Sequence, residues 1–167
     1  MNTLILPRNR RSRAQSQQGF TLVELLIAMV IAAILAAIAI PSYSSYIQKS
    51  RRTDAKSALL NLASLEERYF STTNTYTTAP ANLGYAAGTV TPFPVSNGYY
   101  NITAINVIAA VAPANATSVG TPASYTITAT AIGTQANDAA CATFMISSSG
   151  QQTATGTDPN PNVDCWK

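Results

Sequence analysis

Apolar side chains are distributed along this chain in three ways, and each predicts a different kind of structure. From residue 20 to residue 40 the run FTLVELLIAMVIAAILAAIAI is apolar except for Thr21 and Glu24. At a helical rise of about 1.5 Å per residue, that run is just long enough to cross a bilayer. From residue 41 to residue 70 the apolar positions narrow to one stripe, Ala55, Ala58, Leu59, Leu62, Leu65 and Tyr69, with charges on the other side. No glycine interrupts either segment, and only Pro41 is present to kink a helix. The pattern predicts one helix over residues 20–70, roughly 75 Å long. Its first half needs lipid or other helices on all sides; its second half needs a single sheet on one face.

Beyond residue 70 the period changes. Residues 71–97 are rich in threonine, alanine, proline and asparagine and read as a surface connection holding at most a short turn or helix. Three alternating or β-branched stretches follow, at residues 98–107, 124–132 and 142–147. In Ser124-Tyr125-Thr126-Ile127-Thr128-Ala129-Thr130 the alternation puts Tyr125, Ile127 and Ala129 on one face and threonines on the other. That is the pattern of a half-exposed antiparallel strand. A head of residues 71–167 has a modest core, which the amphipathic half of the helix would complete. The fold class is therefore α+β, a long N-terminal helix packed on a small antiparallel sheet.

The start of the apolar run carries the sharpest functional signal. Residues 1–18 contain Arg8, Arg10, Arg11 and Arg13 and no acid, a strongly cationic leader. Glu24 then stands inside a membrane-length segment, where a carboxylate costs a few kcal/mol. A secretory signal peptide would be cut after its apolar core, for which Ala36-Ala37-Ile38-Ala39 could serve, but Pro41 and an amphipathic helix follow at once. Neither a signal peptide nor a simple membrane anchor has a use for Glu24. Gln18-Gly19-Phe20-Thr21-Leu22-Val23-Glu24-Leu25-Leu26 closely resembles the processing site of type IV pilins. The resemblance continues through Pro41-Ser42-Tyr43 and residues 49–56 and returns at Cys165-Trp166, and within type IV pilins the chain looks most like the PilE-like group, many of which are minor pilins.

The resemblance implies a specific life history. Pilin precursors are cut by a membrane prepilin peptidase, here between Gly19 and Phe20, and the new amino group of Phe20 is methylated by the same enzyme. The leader 1–19 is removed, and residues 20–40 become the transmembrane and filament-core part of a helix continuing as the stem 41–70. The subunit waits in the inner membrane as a single-pass precursor with a periplasmic head. It then polymerises through its helix with other pilin subunits, on an inner-membrane assembly platform, into a cell-surface pilus. An unpaired carboxylate is expensive among packed helices, so Glu24 is expected to face the Phe20 amino group of an adjacent subunit and set the axial register. Pro41 is the expected kink. Ala33 stands where the family often has glycine, and alanine favours helix by about 1 kcal/mol, which predicts a shorter stretch of local melting in the filament.

Charge and cysteines refine this reading. The formal charge is +3, but four of the ten basic residues are leader arginines; without them six basic side chains face seven acidic ones, a net of −1. The basic isoelectric point is thus poor evidence for nucleic-acid binding. Four basic residues precede the apolar run, and Lys49, Arg51, Arg52 and Lys56 follow it, so the positive-inside rule nearly ties. Cys141 and Cys165 are the only cysteines. With no metal-ligand spacing, they read as a structural disulfide in an oxidising compartment, with free thiols as the alternative. A bridge between them would close the loop 141–165, adding on the order of 3 kcal/mol in the chain-entropy picture. It would clamp residues 150–163, which are too polar and proline-rich to pack alone. In pilins the corresponding loop lies at an exposed, variable edge.

No enzyme emerges. The chain has no histidine, no phosphate-cradling glycine loop, no paired carboxylate motif and no activated serine, and nothing calls for a cofactor. Asp158, Asn160, Asn162 and Asp164 offer oxygen ligands for calcium, but a solvated turn explains them better, so no metal is expected. Asn101-Ile102-Thr103 and Asn115-Ala116-Thr117 match a glycosylation pattern that is frequent by chance. Three functional readings remain. The first is a structural subunit, major or minor, of a type IV pilus serving motility, adhesion or DNA uptake. The second is a DNA-receptor pilin; residues 71–167 hold only Asp138, Asp158, Asp164 and Lys167 as charges, a net of −2, which disfavours DNA as a partner. The third is a pseudopilin of a type II secretion system, whose heads commonly rely on calcium rather than a C-terminal disulfide.

Overall fold

The computed structural model describes residues 19–95, 97–115 and 119–167. Of the cationic leader only Gly19 falls within them; the rest lies outside the described residues. Helix α1, Leu22–Thr73, has 52 residues and holds Pro41 in its interior. Proline has no N–H to give to the preceding turn, so one helical hydrogen bond is missing there. At Ala33 the helix is regular. Its C-terminal stop is Asn74, whose φ of 57° is left-handed, a conformation asparagine tolerates better than most residues. Just before it, the hydroxyls of Ser71, Thr72 and Thr73 donate back to the carbonyls of Arg68 and Tyr69 in the preceding turn.

The chain separates into two compact units after Ser42. In the first, none of the described side chains is buried. Leu22, Ile27, Ile34, Leu35 and Ile40 each expose more than half of their surface. This is the one described helix long and apolar enough to cross a membrane.

The second unit, Tyr43–Lys167, is the head with its stem. Five antiparallel strands run in sequence order across one sheet: β1 Phe93–Val95, β2 Tyr100–Ile108, β3 Ser124–Ala131, β4 Thr143–Ser147 and β5 Gln152–Thr155. Strands β2, β3 and β4 match the three expected stretches. Strands β1 and β5 add to them, and the reasons are local. β1 carries Pro94, which only an edge strand accommodates, and β5 buries a single side chain, Ala154. The alternation in β3 holds: Tyr125, Ile127, Ala129 and Ala131 are buried, while the threonines between them are half-exposed. In β2 the buried Tyr100, Ile102 and Ile105 are spaced by two and then three residues. A strand of period two can turn all three to one face only with an extra residue, and the register with β3 slips between Ile102 and Ala104.

Ala55, Leu59 and Leu62 of α1 join Tyr100, Ile102, Ile127, Phe144 and both cysteines in one core. Phe144 meets Tyr100 and Trp166 edge to face, at centroid distances of 5.8 and 5.6 Å. The outward face of the sheet is a field of hydroxyls and methyls, and from Tyr69 to Asn137 the chain has no Asp, Glu, Lys or Arg.

After β5 the chain runs against the segment before β4: Thr157 N–H donates to Ala139 O at 2.8 Å. At Gly156 a Cβ would collide with the main-chain oxygen of Ala140. Gly156→Ala is expected to lower stability by about 1–3 kcal/mol, the cost of forcing a backbone shift in a packed site, measured as an earlier urea midpoint of the disulfide-intact protein in detergent.

Candidate assembly site and head network

The first unit places the expected processing and assembly residues together at the start of α1. Gly19, Phe20 and Thr21 precede the helix in non-helical conformation. The Thr21 hydroxyl accepts the N–H of Glu24 at 3.2 Å, and the Thr21 carbonyl accepts the N–H of Leu25 at 3.2 Å. Thr21 thus caps the helix, with Glu24 at the third helical position, the spacing of a capping box. A carboxylate in the first turn is also favoured by the helix dipole. The capping bond uses the main-chain N–H of Glu24, and the Glu24 side chain is exposed. Phe20 is 82% exposed.

In the second unit the sulfurs of Cys141 and Cys165 are bonded, with Cα atoms 5.8 Å apart. Both residues are fully buried. The loop they close has further ties. Trp166 Nε1 donates to Thr153 O at 2.8 Å, and Asn162 Oδ1 accepts the N–H of Ala154 at 2.7 Å. Asp158 Oδ1 accepts the N–H of Asn160 at 2.8 Å, and Asp164 Oδ1 pairs with Lys167 Nζ at 3.0 Å. Three of the oxygen-bearing side chains weighed for calcium are thus spent on separate local contacts.

A buried polar network ties the stem to the head, and the sequence reading did not anticipate it. Arg52 Nε and Nη2 both reach Asp138, each at 2.7 Å. The hydrogen bond to Asp138 is the main reason the Arg52 guanidinium holds its proton more tightly than usual; burial acts in the opposite sense. Gln135 Nε2 lies 3.1 Å from Asp138 Oδ2, 3.1 Å from the Tyr100 hydroxyl and 3.2 Å from Gln48 O. Burial pushes the Tyr100 hydroxyl up to about 12. Beside this network Arg51 lies over the Tyr99 ring at 3.8 Å and donates to Thr134 Oγ1. The two arginines of the stem's basic cluster are therefore committed to the head.

Glu66 is the second surprise. The helical stripe continues by spacing from Leu59 and Leu62 to position 66, and it is Glu66 that is fully buried, whereas Leu65 and Tyr69 are half-buried. Glu66 Oε2 accepts the N–H of Thr77 at 3.1 Å, and no group in the described residues meets Oε1. Burial, only partly offset by that N–H and reinforced by Glu67, holds the Glu66 carboxyl above the ordinary carboxylate range. The native state thus binds this proton more tightly than the unfolded chain does. Its contribution to stability is complete below the unfolded pKa and is lost as pH rises through the native one. Glu66→Gln is expected to remove this fall and to make the protein more stable at neutral pH, read from unfolding midpoints across pH 4–8.

Comparison with known proteins gives a consistent picture. A family model described as type IV minor pilin ComP, DNA uptake sequence receptor, matches residues 41–145. A second, the prokaryotic N-terminal methylation motif, matches residues 14–40. The type IV major pilin protein PilA of Myxococcus xanthus is 38% identical over 80 residues, which is 48% of this chain and 33% of that protein. The type IV major alpha-pilin of Moraxella bovis is 35% identical over 88 residues, 49% of this chain and 55% of that protein. Prepilin peptidase-dependent protein D of Escherichia coli is 53% identical over 38 residues, 23% of this chain and 26% of that protein. The chain spans about a third to a half of the length of the first of these curated relatives.

Proposed function

The chain belongs to the type IV minor pilin family, and on that premise we propose that it is a subunit of a bacterial type IV pilus, acting by assembly rather than by catalysis. One observation carries the reading: residues 22–40 of α1 form a helix with no buried side chain that is apolar on all sides except at Glu24, and its first turn is capped by Thr21. Such a helix needs lipid before assembly and other helices after it. The precursor is cut between Gly19 and Phe20 by a prepilin peptidase and methylated on the Phe20 amino group. The mature helix begins at Phe20, with residues 20–40 as its membrane and filament-core part and the stem 41–70 leading to the head of residues 71–167. A disulfide between Cys141 and Cys165 suits an oxidising compartment, which supports a periplasmic head. Subunits join on an inner-membrane platform, with Pro41 as the point where the helix yields.

In the filament the Glu24 carboxylate meets the methylated amino group of Phe20 from a neighbouring subunit. The pair adds little net stability over an apolar contact, but a subunit out of register leaves two buried charges. Glu24→Ala is expected to insert into the membrane normally and to be depleted at least about tenfold from sheared filaments, a penalty of about 1.4 kcal/mol in incorporation. Intact mass of the wild-type protein in that fraction should fit cleavage after Gly19, one added methyl group and two fewer hydrogens at the cysteines. Normal incorporation of the variant would remove Glu24 from the mechanism.

A second reading is DNA reception within the same pilus, and the subject of the matching family model favours it. Charge works against it. Residues 71–167 have a net charge of −2, and Arg51 and Arg52 are engaged by Tyr99, Thr134 and Asp138. On this count the protein should bind duplex DNA weakly, with an affinity that changes little between 50 and 200 mM salt, because few phosphates are neutralised. Tight binding with a steep salt slope, measured by mobility shift, would put the DNA reading first.

A further inference from the structure

A cleft of about 540 Å³ opens where the stem meets the disulfide loop, lined by Lys49, Arg52, Lys56, Asp158, Asp164 and Lys167. Its size lies within the range of small-molecule sites. The six charges are not equally free. Arg52 gives both arms of its fork to Asp138. Lys167 Nζ spends one of its donors on Asp164 Oδ1, at 3.0 Å. Lys56 Nζ spends one of its three donors on the main-chain oxygen of Lys167, at 2.7 Å. Among the described residues Lys49 has no hydrogen-bond or ion-pair partner, and Asp158 uses one carboxylate oxygen, on Asn160 N–H. Lys167 keeps two donors and Asp164 one oxygen, so the cleft offers the ammonium groups of Lys49 and, two helical turns further on, Lys56 on the α1 side, and carboxylate oxygens of Asp158 and Asp164 on the loop opposite.

That remainder is selective. A bare dianion would be drawn to Lys49 and Lys56 but would face Asp158 and Asp164. A simple cation would meet the lysines. A molecule with a phosphate at one end and an amine a few bonds away satisfies both sides, since ammonium groups hold phosphate as point charges and a carboxylate accepts strong bonds from an amine. We propose that this cleft binds a phosphate ester bearing a primary amine, the chemistry of phosphoethanolamine, with its phosphate on Lys49 and Lys56 and its amine on Asp158. Burial, and after it the charge of Arg52, hold the Lys56 ammonium below its ordinary pKa, a cost that an arriving phosphate relieves.

The ester can come from a phospholipid headgroup or as a free molecule. Lys49 comes nine residues after the apolar run in sequence, so a headgroup is one of the two sources, and that source alone rests on the membrane placement proposed above. The binding site itself does not.

The test uses processed full-length protein in detergent. Calorimetric titration with O-phosphoethanolamine should show one site per chain, bound at least about tenfold more tightly than inorganic phosphate or ethanolamine alone. Lys49→Ala should abolish the site. Asp158→Asn should lower affinity for the ester to that for phosphate, leaving phosphate binding unchanged, a split that a merely structural role would not produce. Arg68→Ala, outside the cleft, should bind as the wild type does. Equal affinity for ester and phosphate, or no heat from either, overturns the proposal. Native mass spectrometry then separates the sources. Retention of phosphatidylethanolamine over phosphatidylglycerol marks a headgroup site, whereas binding of the free ester with no lipid retained marks a soluble ligand. Sheared-filament content of Lys49→Ala is read alongside, so that loss of ligand and failure of the pilus assignment are told apart.

Discussion

An α-helix satisfies its own peptide groups, and everything in this protein depends on that property. One stretch of backbone can stand in hydrocarbon or against a protein core without exposing an unpaired N–H or C=O to either. Side chains alone then decide what surrounds each part. Apart from Glu24, Leu22 to Ile40 present apolar surface in every direction, and Ala55, Leu59 and Leu62 present it in one. Thr21 and Asn74 set the limits of the helix, one by a hydroxyl cap and the other by a left-handed turn. Pro41 is accepted because a long helix loses only one hydrogen bond to it.

The head is built to the same economy. Its sheet is a meander in which each strand pairs with the next, so contacts are local in sequence and only the helix brings in distant residues. Hydrophobic contact supplies the core, but it has no preferred depth along a helix. The Arg52–Asp138 fork and the Gln135 bonds to Gln48 and Tyr100 do, because a slip of one turn would leave buried charge unpaired. The apolar stripe thus attaches the helix to the sheet, and the polar network fixes where.

Much of this was legible in the sequence, and the rest was hidden for identifiable reasons. The helix was visible because fifty residues without glycine carry few other readings. Strands β2, β3 and β4 announced themselves by alternation. The disulfide followed from two cysteines with nothing else to do. Strands β1 and β5 did not, since a three-residue edge strand containing Pro94 and a strand burying only Ala154 lack any hydrophobic period. The network was invisible for a different reason. Arg52 and Asp138 lie far apart in the chain, and their types fit a solvated surface equally well. Glu66 was readable in principle, because the spacing from Leu62 pointed to it; a carboxylate on a core stripe was passed over in favour of Leu65. At the N-terminus the type of residue was evident, and the bond that the Glu24 N–H donates to the Thr21 hydroxyl fixes where the helix begins.

The absence of charge between Arg68 and Asp138 has a physical consequence for whatever the outer sheet touches. Contacts made through threonine hydroxyls and methyl groups have no ion atmosphere to disperse and no carboxylate or ammonium to titrate. The grip of such a surface is set by shape and dehydration. Contacts of this kind should change little between low and high salt or with pH, where contacts through ion pairs would weaken.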